Sequence, residues 1–387
     1  MDKKTIIYYG NILFPDKDAA SHRVIGNAKA LRELGYNVIL VGCRKGEHRR
    51  LLETKEVFEG FDVYYFKEPE SLKEWNQYLT GYQPLKKIVD KTSIVSAVIL
   101  YNHPSISTKK ILSFSHDLGI KVYADCTEWF SPSGFSMHTI IKKIDTWFRM
   151  RRVNKRLDGV IAISSYLQKY YDAYNCKTVC VPPLIDKKDH KWDVSSMKSE
   201  TSEKVRICYV GNPGAGSKDK LSVIIEALNK IHEQNSGIDL QFTVVGMTGE
   251  DYTRVFGEDG SKYPFVQFKG KLPNTDALSI IKQSDFSIFI RDNNLVCSAG
   301  FPTKFSESIA CGTPVLTNLT SDISRYLEDG ENGFVLDPST EKTLHDSLFR
   351  ALNTSSGDRL RMKLFCKEYQ AFDYHSFIEP FRGFINS

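Results

Sequence analysis

Two segments of the chain combine residue types that can grip a charged ligand. The first is Y-V-G-N-P-G-A-G-S-K-D (209–219), an apolar run followed by glycines at 211, 214 and 216 and by Lys218. Glycine lets a backbone approach a ligand, and a helix opening after such a turn presents free N–H groups to an anion. The spacing fits neither G-x-G-x-x-G nor the P-loop, so a plain strand-to-helix turn with a solvated lysine explains it equally well. The second is S-A-G-F-P-T-K-F-S-E-S-I-A-C-G-T-P-V-L (298–316). Its composition predicts a helix from Thr303, after a Gly and a Pro, that stops at Gly312 before a strand from Pro314. Glu307 falls one turn in, where a carboxylate can accept two hydroxyl hydrogen bonds, as from a ribose diol. The bland alternative is a Lys304–Glu307 surface pair worth about a few tenths of a kcal/mol. The ligand reading is preferred because the helix follows the strand run F-S-I-F-I-R, which ends at Arg291.

Other candidates lie in the first half. V-Y-A-D-C-T-E-W-F (122–130) ends in Asp125 and Glu128, either of which can position an acceptor hydroxyl or take its proton, with Glu128 favoured. In Y-N-H-P (101–104), His103 follows a strand run and is expected at a cleft edge. After the opening strand, residues 10–24 form a loop that leads into a helix, with Ser21 as the expected N-cap and Arg23 facing the cleft. Residues 140–156 hold seven basic residues interleaved with Ile140, Ile144, Trp147, Phe148 and Val153. Such a helix suits an anionic lipid surface, or simply a basic solvated face.

These residues must be held by a chain of 387 residues, enough for about two domains. Hydrophobic residues make up 41% and charged residues 26%, ordinary globular usage that excludes disorder and small cysteine-stapled scaffolds. A net charge of +5 over this length does not indicate a nucleic-acid protein. The eight cysteines are scattered without C-x-x-C pairs, which reads as free thiols in a reducing cytoplasm, and no metal site is expected. No apolar run reaches a membrane span. Strand runs such as T-I-I-Y-Y, N-V-I-L-V-G and S-A-V-I-L-Y alternate with helical patterns such as R-V-I-G-N-A-K-A-L-R-E-L-G-Y. The alternation restarts at V-R-I-C-Y-V-G, after a polar stretch, 186–204, that reads as a linker. The fold class expected is α/β: two Rossmann-like doubly wound domains, 1–185 and 205–367, facing a cleft, with ligands outside the carboxyl ends of the strands.

The segment from about 205 to 337 resembles the retaining group 1 glycosyltransferases of GT-B architecture, which use nucleotide sugars, and the likeness extends over nearly the whole chain. It rests on the Glu-bearing helix, the following G-T-P-V-L and then D-I-S-R-Y-L-E-D-G-E-N-G-F-V. The family signature is two glutamates separated by seven residues. Glu307 matches the second, which implies ribose binding, whereas the first falls at Ala299. The resemblance implies that Gly211 and Gly216 border the donor, that backbone N–H groups of Gly300, Phe301 and Thr303 cradle sugar and diphosphate, and that Lys218 contacts the diphosphate. Where the family places an arginine this chain has Asn212, so Arg291 or Lys304 is expected to supply the charge. Gly10 matches a glycine of the acceptor-side loop. The aromatic tail 368–387 resembles the family's last helix, which packs back on the first domain. The implied function is transfer of a sugar from a UDP- or GDP-type donor to a hydroxyl acceptor, a lipid-linked glycan in cell-surface polysaccharide synthesis. It needs no cofactor or metal, and the enzyme is cytoplasmic and peripheral on the inner face of the cell membrane. The competing readings are a sugar-nucleotide epimerase or hydrolase of the same architecture, and a non-catalytic two-lobed nucleotide-sugar-binding protein.

Overall fold

The computed structural model describes residues 3–14, 18–45, 52–129, 137–193, 203–213, 219–234 and 237–386. The chain divides into two units: Met1–Leu184 with Ala299–Phe301 and Asp373–Ser387, and Ile185–Ser298 with Pro302–Phe372.

The first unit is built on an eight-stranded sheet of order β3-β4-β2-β1-β5-β6-β7-β8. Its strands are β1 (Thr5–Leu13), β2 (Asn37–Arg44), β3 (Glu56–Phe58), β4 (Phe61–Lys67), β5 (Val95–Tyr101), β6 (Lys121–Cys126), β7 (Gly159–Ala162) and β8 (Thr178–Cys180). All neighbours are parallel except β3 and β4, which form an antiparallel pair. The strands are apolar almost throughout because helices cover both faces of a parallel sheet. Ile6, Tyr8, Ile99, Tyr123 and Ile161 pack with Val24, Ala28 and Leu31 of the helix Ala19–Glu33. Phe381, Phe384 and Ile385 of the last helix, Ile378–Asn386, join the same core. The helix Ala19–Glu33 is capped by Asp18, not Ser21; Ser21 stands at the third position and completes the reciprocal capping box.

The second unit has a six-stranded, all-parallel sheet of order β11-β10-β9-β12-β13-β14. Its strands are β9 (Val205–Val210), β10 (Leu240–Val245), β11 (Val266–Phe268), β12 (Phe286–Phe289), β13 (Val315–Thr317) and β14 (Gly333–Val335). Of the polar stretch 186–204, residues 186–193 are counted with this unit, and Trp192 is buried there. Residues 194–202 lie outside the described residues. The tail splits: the helix Ser356–Glu368 belongs to the second unit and Asp373–Ser387 to the first.

Strand order reverses beside β1 in the first sheet, between β1 and β5, and beside β9 in the second, between β9 and β12. Crevices at the carboxyl ends of such strand pairs are where open α/β sheets hold ligands. The outermost strands β3, β8, β11 and β14 are each three residues long.

Candidate active site

At the switch point of the second sheet, four side chains from distant parts of the sequence converge. Asp219 is buried, and its Oδ1 accepts from Arg291 Nε at 2.8 Å. Its Oδ2 accepts from Lys304 Nζ at 2.5 Å and from the Tyr209 hydroxyl at 2.8 Å. Burial pushes the Asp219 carboxyl up, but Lys304 and Arg291 outweigh it and hold it well below the usual carboxylate range. Burial lowers the Lys304 ammonium and Asp219 works against that shift. Tyr209 is raised by burial and by the Asp219 charge, so it stays a neutral donor. Arg291 is also fixed by its backbone, since its N–H donates to Asn318 Oδ1 at 2.9 Å and its carbonyl accepts from Asn318 Nδ2 at 2.8 Å. Gly211 follows β9 with φ +153°, and a Cβ there would sit 2.8 Å from Lys304 Nζ. A glycine is therefore what admits the lysine to the strand end. Lys304 lies in the first turn of the helix Thr303–Ala310, and Glu307 one turn further, close enough to act on the lysine's charge.

The switch point of the first sheet opens into a pocket of about 780 Å³. Asn11, Tyr101, Asn102, Thr127 and Glu128 line its floor at strand ends, and Trp75 and Tyr78 of the helix Leu72–Thr80 form a wall. A second pocket, of about 1030 Å³, shares Tyr78 and is lined by Lys67, Lys87, Lys91 and Lys110. Glu128 and the switch-point strand ends are absent from that lining, so the smaller pocket is the better candidate for chemistry.

The sequence family described as Glycosyl transferases group 1 matches residues 204–354, the stretch that contains Asp219, Arg291, Lys304 and Glu307. The second unit carries a group 1 glycosyltransferase domain. No curated protein matches the chain by sequence. Among solved structures, Alr3699/HepE of Anabaena, in complex with UDP and glucose, is 15% identical with a TM-score of 0.65, each chain covered to 99%. The catalytic domain of starch synthase IV from Arabidopsis thaliana, bound to ADP and acarbose, is 11% identical with a TM-score of 0.71, covering 99% of this chain and 98% of that one. Sucrose-phosphate synthase from Thermosynechococcus elongatus is 12% identical with a TM-score of 0.70 and the same coverage. The two doubly wound units have the GT-B fold of these glycosyltransferases.

Within the glycosyltransferase domain, Arg291 and Lys304 are brought together, although 13 positions separate them in the sequence. Arg291 pairs with Asp219 and not with its neighbour Asp292, which Lys220 takes at 3.1 Å. Lys218 and Gly216 lie outside the described residues; Asn212 is exposed beside Gly211. Thr303 opens the Glu307 helix. Gly300 and Phe301 are counted with the first unit, where the Ala299 carbonyl accepts from Ser164 Oγ at 2.8 Å. Asp219 itself closes the glycine-rich motif, but nothing in its spacing revealed that it would collect both cations.

The first unit corrects five expectations. Gly10 lies inside β1, paired with Tyr101; a Cβ would meet the Tyr101 Cβ at 2.9 Å, so it serves close strand packing and not a loop. Arg23 and Asp125 are buried at 2% and 0% exposure and bind each other, Nη2 to Oδ1 at 2.7 Å. Asp125 also accepts from the Tyr8 hydroxyl at 2.5 Å, and Arg23 Nη1 donates to the Val181 carbonyl at 2.8 Å. Neither faces a cavity where an acceptor hydroxyl could reach it, which leaves Glu128 as the acidic candidate. His103 is buried between Tyr9 and Tyr78, ring centroids at 5.0 and 5.4 Å, with Nε2 2.8 Å from Ser107 Oγ. Burial, aided by the charge of Arg149, lowers its pKa to about 3, so it is neutral at pH 7 and acts as packing. Finally, 140–156 is not one helix: Met137–Phe148 is α-helical and Arg149–Val153 a π-helical turn, and Arg149, Met150 and Val153 are buried.

Proposed function

We propose that the chain is a retaining glycosyltransferase that moves a sugar from a nucleoside-diphosphate donor, of UDP or GDP type, to a hydroxyl acceptor. The observation that carries this reading is the pair of cations, Arg291 and Lys304, gathered at the β9/β12 switch point beside the Glu307 helix. As the anomeric C–O bond breaks, negative charge grows on the departing diphosphate, and prepositioned cations and the helix N-terminus stabilise it. The acceptor hydroxyl attacks from the same face, and its proton passes to a phosphate oxygen or to Glu128. HepE, bound to UDP and glucose, supports a nucleotide-sugar donor. In this reading the protein cations supply the charge stabilisation and no resident cofactor or metal is needed. Among the described residues, no group of three or more His, Cys, Asp or Glu side chains is placed to hold a metal ion.

Glu307 is assigned to the ribose hydroxyls. Glu307→Ala should weaken UDP or GDP binding by about 1.5–3 kcal/mol, the scale for hydrogen bonds to a charged acceptor. Titration calorimetry of the two proteins against both nucleotides checks this; unchanged affinity for each would remove the donor assignment.

The acceptor is proposed to be a lipid-linked glycan, met at an anionic membrane surface. Among the described residues, no helix is long and apolar enough to cross a membrane. The helix Met137–Phe148 nonetheless leaves Ile140, Ile141, Ile144, Trp147 and Phe148 between 40% and 55% exposed, a stripe at helical spacing. Lys142, Lys143, Arg151 and Arg152 are exposed near it. Each basic residue near an anionic leaflet contributes about 1 kcal/mol, and the stripe adds apolar burial at the headgroups. The protein should sediment with phosphatidylglycerol vesicles at low salt and be released as salt rises; equal partitioning onto neutral vesicles would exclude the electrostatic part.

A further inference from the structure

Arg149 is the first residue of the π-helical turn that ends the helix Met137–Phe148. A π turn inserts extra backbone into a helix and re-aims the side chains that follow, and such turns recur at functional sites. Arg149 itself follows Asp145 and Thr146 by four and three positions, in helical phase with the face that lines the pocket, and its guanidinium is held inward, to 6% exposure, beside Trp75, Tyr78, Asn102 and Glu128. Arg149 Nη1 donates to the Asn102 carbonyl at 2.5 Å, while Nε is buried without any hydrogen-bond partner. Among the described residues, no carboxylate comes within 4.0 Å of it. Two carboxylates line the same pocket. Asp145 is held by the Ser105 N–H at 2.8 Å and the Ser105 hydroxyl at 2.7 Å, and Glu128 stands at the strand end. Lys142 adds a further positive charge to the lining.

A guanidinium removed from water without a counter-charge is unfavourable, and protein interiors rarely keep one unless something completes it. Its planar fork matches a phosphate or carboxylate better than any other side chain does. The rest of the lining is aromatic and amide, suited to the faces and hydroxyls of a sugar ring. We infer that this pocket takes an acceptor saccharide bearing an oxyanion, phosphate or carboxylate, which seats on Arg149 while the ring lies against Trp75. The inference rests on the glycosyltransferase reading above and names the acceptor class for it: an anionic sugar. A diphosphate that links a glycan to a lipid presents the same oxyanion as a free sugar phosphate.

The test uses the full chain, first titrated with UDP and GDP and then held saturated with the tighter of the two so that anions do not report on the donor side. Glucose 6-phosphate, glucuronate, farnesyl diphosphate in detergent and, as neutral reference, glucose are titrated in separate arms. At least one anion should bind tenfold or more tightly than glucose, and the tightest names the source of the oxyanion. Arg149→Gln should lose roughly 10- to 100-fold of that affinity, Arg149→Lys should lose less, and nucleotide affinity should be unchanged in both. Because Arg149 also holds a backbone carbonyl, hydrogen exchange on the unaltered protein gives an independent readout. The bound anion should protect residues 72–80 and 141–153. The inference is overturned if all anions bind no better than glucose, if protection falls only within 205–354, or if Arg149→Gln melts normally and binds equally well. Failure to bind either UDP or GDP would defeat the donor reading separately, and the anion arms are then read without nucleotide.

Discussion

Replacing either cation of the glycosyltransferase domain, Arg291→Ala or Lys304→Ala, lowers the rate of sugar transfer by about two to three orders of magnitude, about 2.7–4 kcal/mol in barrier. The effect falls on turnover more than on binding because charge on the leaving diphosphate is greatest as the bond breaks. Both cations are largely withdrawn from water, at 12% and 14% exposure, so their field is weakly screened and their positions cost nothing to assemble during the reaction. Arg291 is held by side chain and backbone alike, whereas Lys304 is a point charge on a flexible stem. The arginine variant should therefore be the more severe. Steady-state kcat and KM for each variant, with melting curves to confirm folding, decide the matter. Near-normal kcat in both would remove the two cations from the mechanism.

The second large effect is on stability. Arg23→Leu strands the Asp125 carboxylate, fully buried, with only the Tyr8 hydroxyl and a 3.5 Å contact from Asn27 as polar partners among the described residues. Breaking one side of a buried pair costs about 3–5 kcal/mol, because the surviving charge is left uncompensated. Urea unfolding should show the loss, and Arg23→Leu combined with Asp125→Leu should recover part of it, since removing both charges is often close to neutral. Asp125→Asn should unfold at lower urea but retain transfer activity in the folded protein. If that variant stays as stable as the parent and loses turnover, Asp125 takes part in the chemistry after all.

Much of the architecture was legible because parallel strands buried on both faces are continuously apolar; T-I-I-Y-Y, S-A-V-I-L-Y and F-S-I-F all became strands. β3 was missed because E-V-F is three half-exposed residues that owe their pairing to β4. Pairings across the chain were not legible at all. Asp219 meets Arg291 across 72 positions and Arg23 meets Asp125 across 102, and no local periodicity encodes either contact. The basic run 140–156 misled for a different reason. Arg149 shares a helical face with half-buried Asp145 and buried Thr146, which a count of basic residues does not reveal, and the π turn that ends the helix has no dependable composition signature. Gly10 misled because a glycine before a polar segment reads as a loop, while close approach to Tyr101 inside a strand demands the same residue.

All four sheet edges end in strands of three residues. A foreign strand adding to such an edge gains two or three backbone hydrogen bonds, each worth about 1 kcal/mol net. Ordering its own backbone costs about 1–2 kcal/mol per residue, so the addition does not propagate. Two large, mainly parallel sheets, slow to fold and sticky while incomplete, thus reach a native state in which no edge strand among the described residues is long enough to template cross-β growth. The folded chain should tolerate high concentration, and any aggregation hazard belongs to the interval before the short outer strands have docked.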